Sequence, residues 1–260
     1  MTSSLISVER SDEIAIVSLN RPEKLNAISR AMLQQLTEIF NNAADDKSLR
    51  AIVLTGSGDK AFSAGTDLAE LINVNAEDAR SVAEGGQTLC NVIENCPVPV
   101  IAAINGIAAG AGCELALASH LRIAAANASF SLPEIKLGII PGYGGSQRLA
   151  REVGQGLALE IMLTARTVHS EEALRIGLIT RIAPAGGLLP EAMRLAHEIA
   201  SLAPLAIRAC LQAVTKGTEL SLSDGLALEA DLFASLFATR DMREGTRAFL
   251  EKRAPVFKGE

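Results

Sequence analysis

Between Ile104 and Gln147 the chain sets two glutamates in surroundings that offer little to pair with a charge. Glu114 closes the run Asn105-Gly106-Ile107-Ala108-Ala109-Gly110-Ala111-Gly112-Cys113-Glu114. Glu134 lies in Ser131-Leu132-Pro133-Glu134-Ile135, just ahead of Pro141-Gly142-Tyr143-Gly144-Gly145-Ser146-Gln147. A buried carboxylate without a counter-ion is costly, so its pKa rises and it can give or take a proton near neutrality. The glycines of 106–112 fall between a strand pattern and a helix pattern. There the backbone can turn sharply and approach a ligand, and the free N–H groups of the helix start can hold a phosphate or a developing oxyanion. Their spacing departs from GxGxxG, which argues against a dinucleotide site.

The flanking sequence alternates strand and helix. Residues 5–10 and 14–19 read as a hairpin around Ser11-Asp12. Ser29 reads as an N-cap ahead of Met32, Leu33, Leu36, Ile39 and Phe40 at helical spacing. Strands are expected at 51–55 and 100–104, a helix at 77–94, and another from about Ala111 with Glu114 in its first turn. The segment 60–68 reads as a strand end, a turn and a helix start with Asp67 as its cap. This is an α/β pattern with crossover connections. Beyond Gly144 helices dominate: short runs at 144–153, 156–163 and 170–176, a strand at 178–182, then longer helices at 187–201, 204–215, 221–239 and 240–253. The expected division is an α/β core over 1–185 and a helical region over 186–260.

Composition narrows the function. Hydrophobic residues make up 48% and aromatics only 3%, so the core must rely on close packing of small side chains, and apolar surface is left over for an oligomer interface. The net charge of −6 opposes nucleic-acid binding through broad electrostatics. Four cysteines without CxxC spacing and three scattered histidines point to neither a metal site nor a disulfide framework. Cys113, with no partnering histidine, reads as core. The start Met1-Thr2-Ser3-Ser4 shows no leader pattern, and no apolar run has membrane-spanning length. A soluble, cytoplasmic protein is expected.

Four segments in fixed order carry a resemblance: Asn20-Arg21-Pro22-Glu23-Lys24-Leu25-Asn26-Ala27, Phe62-Ser63-Ala64-Gly65-Thr66-Asp67, Asn105-Gly106 through Leu115, and Pro133 through Arg148. Together with the C-terminal Ala248-Phe249-Leu250-Glu251-Lys252-Arg253-Ala254-Pro255-Val256-Phe257-Lys258-Gly259 they resemble the crotonase family of enoyl-CoA hydratases and isomerases over essentially the whole chain. The resemblance implies a crotonase-like α/β spiral of ββα turns with a helical C-terminal trimerisation region, assembled as a homotrimer or homohexamer. It implies acyl-CoA thioester substrates, with coenzyme A arriving as part of the substrate and no separate cofactor or metal. No nucleic-acid or membrane partner is expected.

The resemblance also assigns roles. The backbone N–H groups of Thr66 and Ala111 match the oxyanion hole, and Glu114 and Glu134 the acid/base pair of the hydratases, with Gly142 N–H placing the water. Coenzyme A contacts map to Arg21, Lys24, Ala64, Phe257 and Lys258, the last two from a neighbouring subunit. A lysine common in the family two residues after Asp67 is Ala69 here, which removes one phosphate contact. Tyr143, the single tyrosine, either faces the acyl pocket or packs. Both glutamates together favour hydration over double-bond isomerisation; a non-catalytic or RNA-binding relative is the alternative outside enzymes.

Overall fold

The protein is described by a computed structural model over residues 4–260; residues 1–3, part of the stretch inspected for a leader, lie outside the described residues. Strands β1 (Ile6–Ser11) and β2 (Ile14–Leu19) form the expected antiparallel hairpin. Helix α1 (Arg30–Asn42) begins where Ser29 predicts it: the Ser29 hydroxyl accepts from the Met32 N–H at 3.3 Å, and Met32, Leu36 and Phe40 are buried. Next come β3 (Ala51–Gly56), β4 (Ala61–Ser63), the single turn α2 (Leu68–Leu71) capped by Asp67, and α3 (Ala76–Glu94). The central stretch holds β5 (Val100–Ile104), β6 (Ile107–Ala109), α4 (Ala111–Ala118), β7 (Leu121–Ala125) and β8 (Ser129–Ser131). Then follow α5 (Gly145–Val153), α6 (Gln155–Thr164), β9 (Val168–His169), α7 (Ser170–Arg175) and β10 (Arg181–Ala183). Helices α8 (Leu188–Ala200), α9 (Pro204–Gly217), α10 (Leu222–Leu236) and α11 (Arg240–Glu251) complete the chain.

Two sheets stack. The larger has the order β1-β2-β3-β5-β7-β10, parallel from β2 onward; the smaller has the order β4-β6-β8-β9. Each central strand of the large sheet hands the chain to a strand of the small one: β3 to β4, β5 to β6, β7 to β8. Helical segments then lead back, because parallel neighbours need a crossover. This repeated strand-strand-helix turn is the expected spiral. Sequence periodicity does not expose the small sheet, since three-residue strands are too short to show an alternation. The strand expected at 178–182 is shifted to Arg181–Ala183 because Leu178 and Ile179 turn inward, their N–H groups bonded to the Ala173 carbonyl.

Helix α8, expected in the peripheral part, lays Ala192, Leu195 and Ala196 against Ile14, Val53, Ile101 and Ile123 of the large sheet. It therefore packs on the α/β body. Helices α9 and α10, which pack on each other, have no fully buried residue.

A polar knot ties the first loop to the small sheet. Asn26, fully buried and in a left-handed conformation (φ 56°), accepts from the Arg21 N–H at 3.0 Å and donates to the Ser57 and Ala61 carbonyls at 3.0 and 2.8 Å. Its own carbonyl accepts from the Ser63 hydroxyl at 2.9 Å. Asparagine tolerates this backbone region better than most residues. Truncation by Asn26→Ala removes three hydrogen bonds to backbone groups, one buried and two part-buried, so a loss of about 3 kcal/mol is expected in urea unfolding; a loss below about 1 kcal/mol would show that water replaces the amide there.

Candidate active site

Glu114 points from the first turn of α4 into the interior and is only 2% exposed. Its Oε1 accepts from two backbone N–H groups, Tyr143 at 2.8 Å and Gly145 at 2.7 Å. Glycine is required at 145 by space: a Cβ there would stand 2.9 Å from Glu114 Oε1. Arg148 holds this loop from behind, pairing with Glu94 at 2.7 Å and donating to the Tyr143 carbonyl at 3.2 Å. Oε1 is thereby fixed, and Oε2 has no hydrogen-bond partner among the described residues.

Glu134 opens a 3-10 turn, Glu134–Leu137, and is 9% exposed. Its Oε2 is buried without a hydrogen-bond partner among the described residues. Its Oε1 faces Gly110: a Cβ at that residue would lie 2.9 Å away. Gly110 also needs a positive φ, 51°, to start α4. The two carboxyls are close enough for the charge of Glu134 to raise the pKa of Glu114. Burial is the leading cause of both upward shifts; it pushes Glu114 to about 7 against the attraction of its two N–H donors, and Glu134 upward as well. The Cys113 thiol beside Glu114 is pushed up by burial, which leaves it a core residue rather than a nucleophile.

The two backbone donors expected from the sequence converge. Ala111 is the first residue of α4, so its N–H has no partner within the helix. The Thr66 N–H has no acceptor among the described residues, and the pairing of Ile28 with its neighbours, Gly65 and Asp67, leaves it facing the other way. The loops adjoin: a Cβ at Gly65 would lie 3.6 Å from the Ala111 nitrogen, and one at Gly110 3.7 Å from the Gly65 Cα. Two donors beside two protonatable carboxyls suit a substrate whose carbonyl gains negative charge while protons move.

Beside the donors opens a cavity of about 410 Å³ with Ile28, Leu33, Thr66, Leu71, Val82 and Tyr143 in its wall. Tyr143 both faces the cavity and packs: its ring rests on Gly86 of α3, where a Cβ would overlap it. Gly142 reaches the same loop with its carbonyl bonded to Gln87 Nε2 at 3.0 Å. Its N–H has no partner among the described residues.

The residues expected around coenzyme A are dispersed. Ala64 and Lys24 are exposed near the donor loop; the Ala64 N–H bonds to the Leu25 carbonyl at 2.9 Å. Lys258 and Phe257 follow α11, where Asp241 accepts from the Lys258 and Gly259 N–H groups, both at 2.8 Å. Arg21 makes contacts within the fold. Its guanidinium is turned inward, onto the Ala27 carbonyl at 2.8 Å and Asp67 Oδ2 at 3.0 Å. Sequence reasoning missed that pair, the N–H cradle of Glu114 and the Arg148 anchor. All three join residues distant in the chain, and only the glycines at 144 and 145 signal one of them.

Comparison with known proteins follows this geometry. Residues 9–260 match the family described as enoyl-CoA hydratase/isomerase. The chain is 42% identical over 252 residues to the crotonyl-CoA hydratase of Syntrophomonas wolfei, covering 97% of both. It is 38% identical to the short-chain-enoyl-CoA hydratase of Clostridium acetobutylicum, with 95% of each covered. The crystal structure of an enoyl-CoA hydratase from Bacillus anthracis superposes with a TM-score of 0.96 at 41% identity, covering 99% of this chain and 100% of that one.

The raised carboxyl carries a sign. The pKa of Glu114 rises from 4.5 to about 7 on folding, so its protonated form favours the folded state. That contribution is complete below about pH 4.5 and is lost as pH rises to about 7, on the order of 3 kcal/mol in all. Comparing the urea stability of wild type and Glu114→Gln between pH 4.5 and 7.5 should show a steeper loss in wild type, since only Glu134 keeps a raised pKa in the variant. Equal slopes would mean that the carboxyl titrates at an ordinary value.

Proposed function

The chain belongs to the enoyl-CoA hydratase/isomerase family and is a hydro-lyase of enoyl-CoA thioesters, and we propose that Glu114, Glu134 and the N–H groups of Thr66 and Ala111 carry its reaction. The observation that bears most weight is the pair of buried, pKa-raised carboxyls beside two adjoining loops that present unpartnered backbone donors. In this reading the thioester oxygen accepts from both N–H groups, and a water lies between the carboxyls, helped by the Gly142 N–H. At the start the pair shares one proton, held by Glu134. Glu114 takes a proton from the water as its oxygen bonds to Cβ. The double-bond electrons move to the thioester oxygen, forming an enolate that the two donors stabilise. Glu134 then delivers its proton to Cα as the enolate collapses, giving the 3-hydroxyacyl thioester. Proton transfer from Glu114 to Glu134 restores the pair, so atoms and charge balance. Coupled carboxyls raised by burial are suited to this exchange because neither is firmly ionised near neutrality.

The cavity beside Thr66 and Tyr143 takes the acyl group. Outside it, Lys24, Ala64 and, from a neighbouring subunit, Phe257 and Lys258 contact coenzyme A; no further cofactor enters the reaction. Apolar side chains in the C-terminal region, among them Leu222 and Phe233 of α10, Phe237 just after it and Phe249 of α11, are exposed in the single chain. Such a face supports a homotrimer or homohexamer, which light scattering after gel filtration distinguishes from a monomer. No described helix is long and apolar enough to cross a membrane, consistent with a cytoplasmic enzyme.

Hydration is followed directly as loss of the conjugated-thioester absorbance of crotonyl-CoA. Glu114→Gln and Glu134→Gln should each lower kcat by roughly 10²–10⁴-fold. Turnover retained by Glu114→Gln but lost in Glu134→Gln would point instead to a single acid/base and double-bond migration.

A further inference from the structure

The Arg21 guanidinium grips two segments that border the donor loop. Nη1 donates to the Ala27 carbonyl at 2.8 Å and Nη2 to Asp67 Oδ2 at 3.0 Å. Between these anchors the Ile28 N–H donates to the Gly65 carbonyl at 2.7 Å, and the Ile28 carbonyl accepts from the Asp67 N–H at 2.9 Å. In extended backbone successive peptide groups point to opposite sides. Engaging Gly65 and Asp67 with Ile28 therefore aims the Thr66 N–H away from Ile28. The other Asp67 oxygen, Oδ1, caps α2 by accepting from the Ala69 N–H at 3.2 Å.

The base of the clamp is rigid as well. Arg21 N–H donates to Asn26 Oδ1 at 3.0 Å, and the Arg21 carbonyl accepts from the Asn26 N–H at 2.9 Å. Asn26 is fully buried and holds Ser63 through its carbonyl, and the Ser63 hydroxyl accepts from the Gly65 N–H at 3.2 Å. The Arg21 and Asp67 side chains are mostly shielded, at 16% and 17% exposure. A planar guanidinium can hold two acceptors in one fixed geometry, which a lysine ammonium does less well.

We propose that Arg21 and Asp67 are positioning residues for the oxyanion donor Thr66, acting through the Ile28 pairing, and that Arg21 is not a contact for the phosphates of coenzyme A. This rests on the assignment of Thr66 as an oxyanion donor. The hydrogen bond from Arg21 is the leading reason that the Asp67 carboxyl is held below its usual range, so the clamp stays charged at working pH. Its purpose is geometric: a donor displaced by about 1 Å can cost on the order of 10²-fold in rate.

Two thioesters separate the roles. Crotonyl-CoA and crotonyl-pantetheine present the same reacting group, but only the first carries the nucleotide phosphates. Steady-state kinetics would be measured for wild type, Arg21→Met, Arg21→Lys and Asp67→Asn, with thermal melting as a check of folding. Arg21→Met is expected to lower kcat roughly 10–100-fold with both thioesters, with KM within about 3-fold of wild type in each case. Arg21→Lys should recover part of the rate, and Asp67→Asn should move kcat in the same direction as Arg21→Met. The double variant should be no slower than the slower single one, because the residues act as a unit. A KM increase confined to crotonyl-CoA, with crotonyl-pantetheine turned over normally, would overturn the proposal in favour of a phosphate contact. So would an unchanged kcat with both substrates. Should Arg21→Met fail to fold, Asp67→Asn reads the same outcomes while keeping an oxygen for the α2 cap. Wild type inert toward both thioesters would instead refute the underlying catalytic reading.

Discussion

The hydrogen bonds from the Tyr143 and Gly145 N–H groups to Glu114 Oε1, 2.8 and 2.7 Å long, are what the site depends on. They let a carboxyl occupy the interior without a cation beside it, since charge-assisted bonds offset part of the desolvation cost. They also join α4 to the glycine-rich loop, so that loop geometry and carboxyl geometry are fixed together. Two N–H donors favour ionisation less than burial opposes it, and the result is a pKa of about 7. A guanidinium in direct contact would have held the group ionised and made it a poorer acid near neutrality. The nearest basic side chain in this arrangement, Arg148, is instead engaged by Glu94 and Asn91.

Around that contact the two stacked sheets act as a frame. The small sheet sets the distances that matter. Strand β4 leads to Gly65 and Thr66, β6 to Gly110 and Ala111, and β8 to Glu134. Three adjacent strand ends thus present one donor loop, a second donor with Glu114 a turn beyond it, and the second carboxyl. Parallel order in β4, β6 and β8 places all three ends on one side, as is general for ligand sites in sheets of this kind. Close approach of these ends favours small side chains, and Ser63, Ala108 and Ala109 supply them.

Much of this was legible in the sequence, and the limits have a physical origin. The first hairpin, the Ser29 cap and the start of α4 at Ala111 follow from local rules of turn, cap and periodicity. The carboxyl pair stood out because apolar neighbours and glycines surround it. The small sheet did not, because three residues carry no usable period. The cradle of Glu114 joins residues 29 and 31 positions apart, and the Arg21–Asp67 pair spans 46; no local pattern encodes such distances. Helix α8 shows a further limit: its packing on the large sheet through Ala192 and Ala196 joins residues far apart in the chain.

The central claim is that the two carboxyls share a proton near neutrality because burial outweighs their hydrogen bonds. Infrared difference spectroscopy across a pH titration tests it most directly, by following the carbonyl stretch of protonated carboxyl groups. A band that titrates with a midpoint near 7 in wild type and is altered in both Glu114→Gln and Glu134→Gln is the expected result. Two carboxyls fully ionised down to pH of about 5 would contradict the account, because the site would then hold no proton to deliver.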